Sequence, residues 1–367
     1  MSKISFNNSN NLFFQSLKKS VEDYFNRNSI KKTGNWKLYL KATILIPSAL
    51  SCYVLLLTVQ MPVVIALLLC GLLGLCLAGI GFNVMHDACH GSYSDKKWVN
   101  LLMGHTLNAM GGNAFFWKIK HNILHHTYTN IEGIDDDIAQ SRLLRQSPTQ
   151  KWIPIHRHQH YYLPFAYALT IFMWVGFRDF EKYFRKRIHN TPLQELNTKE
   201  HWIFWISKVL YMLFYVVIPI LAVGWLPWLI GYFTMGVVTG IVLAYVFQLA
   251  HAVEGPEFEA IASEDKVIQT EWAIHQIRTT ANFAPDNKIV SWFVGGLNFQ
   301  IEHHLFPKIS HIHYRQISRI VKEKCKQFNL PYHSFPTVWD AIVSHNRTMK
   351  HLGAKNAVLH FNPTPLK

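Results

Sequence analysis

Residues 42–90 read ATILIPSALSCYVLLLTVQMPVVIALLLCGLLGLCLAGIGFNVMHDACH, and this stretch decides the fold. It holds two apolar tracts, Ala42 to Val59 and Pro62 to Met85. Each is near the roughly 20 residues that carry a helix across a bilayer core. The turn between them, Gln60-Met61-Pro62, is too short to hold a domain, so the pair reads as a helical hairpin. A second pair, Ile203 to Val223 and Pro227 to Ala250, turns at Gly224-Trp225-Leu226-Pro227. The expectation is an all-α integral membrane protein with four transmembrane helices in two hairpins.

Composition agrees: half of the 367 residues are hydrophobic and 14% are aromatic, which calls for a bilayer before any soluble fold. The net charge of +14 would suggest a nucleic-acid partner in a soluble protein, but its distribution gives a better account. Lys and Arg number 8 in residues 1–41, 14 in residues 86–201 and 13 in residues 251–367, with Lys208 alone inside a span. The two tight turns carry none. By the positive-inside rule both termini and the long middle segment lie in the cytoplasm, against membrane lipid and without nucleic acid.

Three segments follow from this: a cytosolic N-terminal stretch over 1–41, a membrane domain over 42–325 and a cytosolic C-terminal tail over 326–367. Leu17, Val21, Tyr24 and Phe25 predict an interfacial amphipathic helix in the first. Trp98 to Trp117 and Tyr161 to Phe177 are apolar too, but the first carries His105 and three asparagines and the second is short with an early Pro164. Both are expected to lie in or dip into the interface. The polar, basic first forty residues lead us to expect no secretory signal before the spans. The five cysteines show no CxxC or paired spacing, so neither a disulfide framework nor a thiolate metal site is indicated.

The chemistry sits in histidine clusters: His86-Asp-Ala-Cys-His90, His121-Asn-Ile-Leu-His125-His126 and Gln300-Ile-Glu-His303-His304. A chain with 21 histidines produces roughly one HH pair by chance, so placement carries more weight than any single match. The four-span topology brings all three clusters, and His251 at the end of the last span, to one membrane face. Residues four apart share a helical face, so His86 with His90 and His121 with His125 each present two imidazoles. Imidazole-rich ligation suits iron, copper or zinc, whereas magnesium and calcium want oxygen. Eight candidate ligands exceed the needs of one ion, and two metals sharing them is the economical reading.

The three boxes resemble those of the membrane fatty-acid desaturase family. The run GGLNFQIEHHLFP from Gly295 to Pro307 is similar to its front-end branch, which includes linoleoyl-CoA desaturases. HNILHHTYTNIEGIDDDI over His121 to Ile138 and TTANFA over Thr279 to Ala284 resemble the same branch. The resemblance implies a di-iron centre that uses dioxygen and two electrons to place a cis double bond in a fatty acyl chain, carried as acyl-CoA or acyl lipid. It assigns iron to His86, His90, His121, His125, His126, His251, His303 and His304. Gln300 stands where many relatives carry a histidine, which makes it a ligand or the holder of a ligating water. The second box departs from the family, with HxxxHH where many members have HxxHH. The sequence carries no His-Pro-Gly-Gly heme motif, so electrons are expected from a separate ferredoxin, or from cytochrome b5 with its reductase. A hydroxylase is the alternative within this chemistry. A histidine-lined metal transporter is the alternative outside it, and the near absence of ionisable residues in the spans opposes it.

Asp87 and Glu302 inside boxes, and Asp135, Asp136 and Asp137 after the second, read as partners for the free N–H of ligand imidazoles. His156, His158 and His160 lie beside Lys151 and read as headgroup contacts, as do His311 and His313. The basic run Arg178 to Arg187 faces headgroups or docks an acidic electron carrier.

Overall fold

The computed structural model describes residues 4–9, 11–138, 142–193, 195–259 and 267–358. Helix α1 (Leu12–Asn28) precedes four helices that are long and apolar enough to cross a membrane. These are α2 (Trp36–Thr58), α3 (Val63–His90), α4 (Thr198–Val223) and α5 (Trp225–His251). After them come α6 (Trp272–Arg278), α7 (Gln300–Leu305), α8 (Tyr314–Gln327) and α9 (Val338–Leu352). The strands among the described residues are two residues long and join in pairs. The chain is therefore a mostly helical integral membrane protein whose spans form two hairpins.

The chain folds as two interleaved units, one of residues 34–119 and 164–245, the other of 1–33, 120–163 and 246–367. In the first, α2 and α3 lie side by side, and α3 approaches α5 closely at Gly74. A Cβ there would come within 2.6 Å of the Met235 carbonyl oxygen. Small residues permit such close backbone contact where no hydrophobic force drives helices together in lipid. Gly91 stops α3 directly after His90. Its φ of +76° is open to glycine at little cost, and Gly91 N–H to Ala88 O with Ser92 N–H to Asp87 O completes a Schellman cap.

The apolar stretches at 98–117 and 161–177 are broken into short helices, with interruptions at His105, Gly111 and Leu169, and none reaches the length of a span. Lys208 is paired inside its own unit. Its Nζ donates to the carbonyls of Gly111 (2.6 Å) and Val175 (3.2 Å) and to Asp179 Oδ2 (3.1 Å). A buried cation needs such partners, because leaving it uncompensated costs about 3–5 kcal/mol.

In the other unit the apolar face of α1, Phe13, Leu17, Val21 and Phe25, is buried against α6, α7 and α8. The face expected to lie in the interface is covered by protein instead, because Ala273, Ile277, Ile317 and Val321 supply a dry surface for it. Residues 338–352, within the stretch read as a tail, form α9 and bury Ala341, His345, Met349 and Leu352.

Candidate metal centre

The first box ends α3. A wide turn over Gly81–Met85, in which His86 N–H bonds Gly81 O five residues back, precedes it. His86 and His90 follow on one helical face with ring centroids 4.7 Å apart, and Trp117 meets both edge-on at 5.6 and 5.8 Å. Asp87 Oδ1 lies 3.9 Å from His86 Nδ1, too far for a hydrogen bond.

The second box explains its own spacing. Asn113 caps the helix Ala114–Lys118, which widens into a π-helical turn over Ile119–His125. In an α-helix the fifth residue onward points about 140° away from the first. The wider turn brings it back, so His121 Nε2 and His126 Nε2 face each other at 3.2 Å. His125 stacks on His121 with centroids 5.2 Å apart. The extra residue of HxxxHH is thus absorbed by a π turn, a feature frequent at functional sites.

The third box lies on α7, and His251 closes α5. His303 and His304 come within 4.5 and 4.4 Å of the His126 ring, and His251 within 4.7 Å of His125 and 4.9 Å of His304. Six buried imidazoles, of His121, His125, His126, His251, His303 and His304, therefore form one cluster inside this unit.

Hydrogen bonds decide which nitrogen each ring offers. His125 Nδ1 donates to Asp135 (3.0 Å), His251 Nδ1 to the Thr279 carbonyl (3.2 Å) and His304 Nδ1 to Gln276 Oε1 (2.9 Å). These partners accept only, so each ring carries its proton on Nδ1 and its lone pair on Nε2. Ligand nitrogens of these three histidines lie within 4.8 Å of one another, and His251 Nε2 is buried with no hydrogen-bond partner. Converging nitrogen donors, one of them a buried atom without a hydrogen-bond partner, fit a transition metal better than a hard cation.

The acidic residues divide. Asp135 is fully buried and also accepts the N–H groups of Asn130 and Asp137. Asp137 lies 3.3 Å from His125 Nδ1 and 2.6 Å from Lys120 Nζ; Asp136 lies 3.8 Å from the same Nζ. Burial alone would raise the Asp137 pKa, but Lys120 and His125 hold it below the usual carboxylate range. Burial alone would lower that of His125, and Asp135 with Asp137 raises it instead. Asp137 also groups with His121 and His125 as a third cluster able to hold an ion. Among the described residues Glu302 pairs with no imidazole: it accepts from Asn282 Nδ2 (2.8 Å) and Tyr332 Oη (2.9 Å), and burial pushes its pKa up to about 7. Gln300 is buried and its Nε2 has no hydrogen-bond partner.

Among the described residues, His156, His158, His160, His311 and His313 join none of these groups. His156 closes a turn, accepting from Ile153 N–H and donating to Arg142 O. Sequence reasoning missed the residues that hold the candidate ligands. Gln276 and Thr129 sit behind His304, Tyr314 Oη is 3.1 Å from His303 Nδ1, and Trp272 Nε1 bonds the His126 carbonyl. The TTANFA run was the available signal, since Thr279 holds His251 and Asn282 holds Glu302.

The family model described as fatty acid desaturase matches residues 60–336. The sn-1 linoleoyl-lipid 6-desaturase of Arthrospira platensis is 35% identical over 95% of this chain and 94% of its own length. The enzyme of the same description from Synechocystis sp. is 36% identical over 93% and 95%. An acyl-lipid (8-3)-desaturase of Physcomitrium patens is 32% identical over 93% of this chain and 72% of its own. The chain belongs to the fatty acid desaturase family. It is a membrane oxidoreductase that desaturates fatty acyl chains, and its histidine groups are able to hold metal.

Proposed function

We propose that the protein desaturates acyl chains of membrane lipids at two iron ions held by His86, His90, His121, His125, His126, His251, His303 and His304. The supporting observation is the trio His125, His251 and His304, each with Nδ1 tied to an acceptor and Nε2 left for a metal. His86 and His90 join the centre through the family's box pattern, and the orphaned amide of Gln300 serves it as a ligand or water holder.

When bound, the irons supply the oxidant that no side chain offers: two hydrogens leave adjacent methylenes, and dioxygen, two electrons and two protons end as two waters. The chain's own residues do the rest. Asp135, Thr279 and Gln276 fix the imidazole tautomers, and Asp137 offsets cationic charge beside His125. Burial of the cluster keeps bulk water from a reactive site. Electrons are taken to come from a separate ferredoxin, or from cytochrome b5 with its reductase; residues 1–367 carry no His-Pro-Gly-Gly run. The charge asymmetry of the sequence supports a cytoplasmic position for both termini, on the side of that donor.

The two relatives of highest identity named here act on linoleoyl lipids at position 6, so a linoleoyl lipid is the first substrate to supply. Expression in a host rich in that lipid should yield a trienoic chain with a new double bond at position 6. A hydroxylated chain in its place would overturn desaturation as this site's outcome. A product confined to acyl-CoA would overturn the lipid carrier.

A further inference from the structure

Helix α8 presents two stripes. Tyr314, Ile317, Val321 and Cys325 recur at helical spacing and are buried. Arg315, Arg319, Lys322 and Lys326 also recur at steps of three and four, and 3.6 residues per turn places them about a third of a turn round the helix from the buried stripe. Arg319, Lys322 and Lys326 are exposed; Arg315 is half-buried and lies 3.4 Å from Asp286. The helix carries five basic residues against one acidic, Glu323.

Two observations say what such a stripe is for. No large apolar side chain on α8 is exposed, whereas a helix that lies in a membrane interface needs an apolar face to bury there. The first residue of the buried stripe, Tyr314, places its hydroxyl 3.1 Å from Nδ1 of His303, so the helix that bears the cations leads directly to a candidate iron ligand. In the competing basic run, Arg178 and Arg185 both pair with Glu181, and Lys186 lies 3.7 Å from Glu195.

We infer that the cationic stripe of α8 is the docking surface for a small acidic one-electron carrier, seated over Tyr314 and His303. This rests on the reading above that electrons arrive on a separate protein. Exposed cations steer an acidic partner and set its orientation, an effect that salt weakens.

The test uses the full chain, zinc-loaded, in nanodiscs of neutral phosphatidylcholine, so that binding is read without turnover. An acidic [2Fe–2S] ferredoxin is the probe, with soluble cytochrome b5 in parallel. Arg319→Glu, Lys322→Glu and Lys326→Glu together should weaken binding about tenfold or more at low salt and flatten its salt dependence. Arg185→Glu, Lys186→Glu and Arg187→Glu together, an equal change of charge, should leave binding near wild type. Unchanged affinity in the α8 variant, or the larger loss in the second, overturns the inference. So does a loss seen only with anionic nanodiscs, which would assign the stripe to lipid headgroups. Steady turnover of the iron enzyme on NADH and dioxygen alone would instead overturn the separate-donor reading, a result distinct from either binding outcome.

Discussion

Gln276 offers the sharpest test of how the centre is held. It is fully buried, and its Oε1 accepts from His304 Nδ1 and from Thr129 Oγ1, both at 2.9 Å. Gln276→Leu keeps similar bulk and removes the acceptor, leaving a buried N–H without its partner. That costs about 1–3 kcal/mol, or roughly 5- to 150-fold in an equilibrium constant. Loss of a partner behind a metal-bound histidine lowers metal affinity by about 10–100-fold, the same range. Thr129 Oγ1, 3.2 Å from the same nitrogen, is a substitute acceptor, so Gln276→Leu with Thr129→Val should reach the upper end. Gln276→Glu restores an acceptor and should recover most of the affinity. The assay is iron per chain by mass spectrometry across a series of buffered iron concentrations, with helicity followed by circular dichroism. The single variant should require about tenfold more free iron to fill its second site. Full occupancy at wild-type iron levels in the double variant would show that His304 needs no acceptor behind it and refute the argument.

Other consequences are simpler to read. His125→Ala and His304→Ala should each abolish desaturation and lower bound iron, while His158→Ala, outside every histidine group, should leave both unchanged. Gln300→Ile should lower iron content and rate, and Gln300→His should retain iron; full iron and normal rate in Gln300→Ile would leave the site to histidines alone. Leu17→Ala, at a fully buried position on the apolar face of α1, should destabilise the protein by about 2–5 kcal/mol, seen as a lower unfolding midpoint in detergent. A reporter at exposed Lys186 should label from the cytoplasm, as should reporters at both termini, and labelling of Lys186 from the opposite side would defeat the four-span orientation. Gln146 is the poorer position for such a reporter, since it is buried and bonded to Gln248.

The sequence alone determined the spans, because crossing a bilayer demands about 20 apolar residues in a row and that demand is local. It also carried the metal-binding types, since imidazoles on one helical face are visible as spacing in His86/His90 and His121/His125. What spacing could not decide was the turn at the second box. Whether His121 meets His126 depends on a π turn, and one additional residue per turn is settled by packing around the helix. Nor could it tell which carboxylates serve the imidazoles. Asp135 and Glu302 look alike beside their histidines, yet one accepts from His125 and the other from Asn282 and Tyr332, residues 20 and 30 positions away. The same holds for Gln276 and Tyr314, which bear no mark in the chain and acquire their role only where the fold brings them against His304 and His303. Amphipathicity had two outlets for α1, lipid or protein, and the tertiary structure chose protein because α6, α7 and α8 present an apolar surface that no local pattern announces. Local rules thus reach as far as one helix and its faces; the partners across the fold are decided by which buried polar groups must satisfy one another.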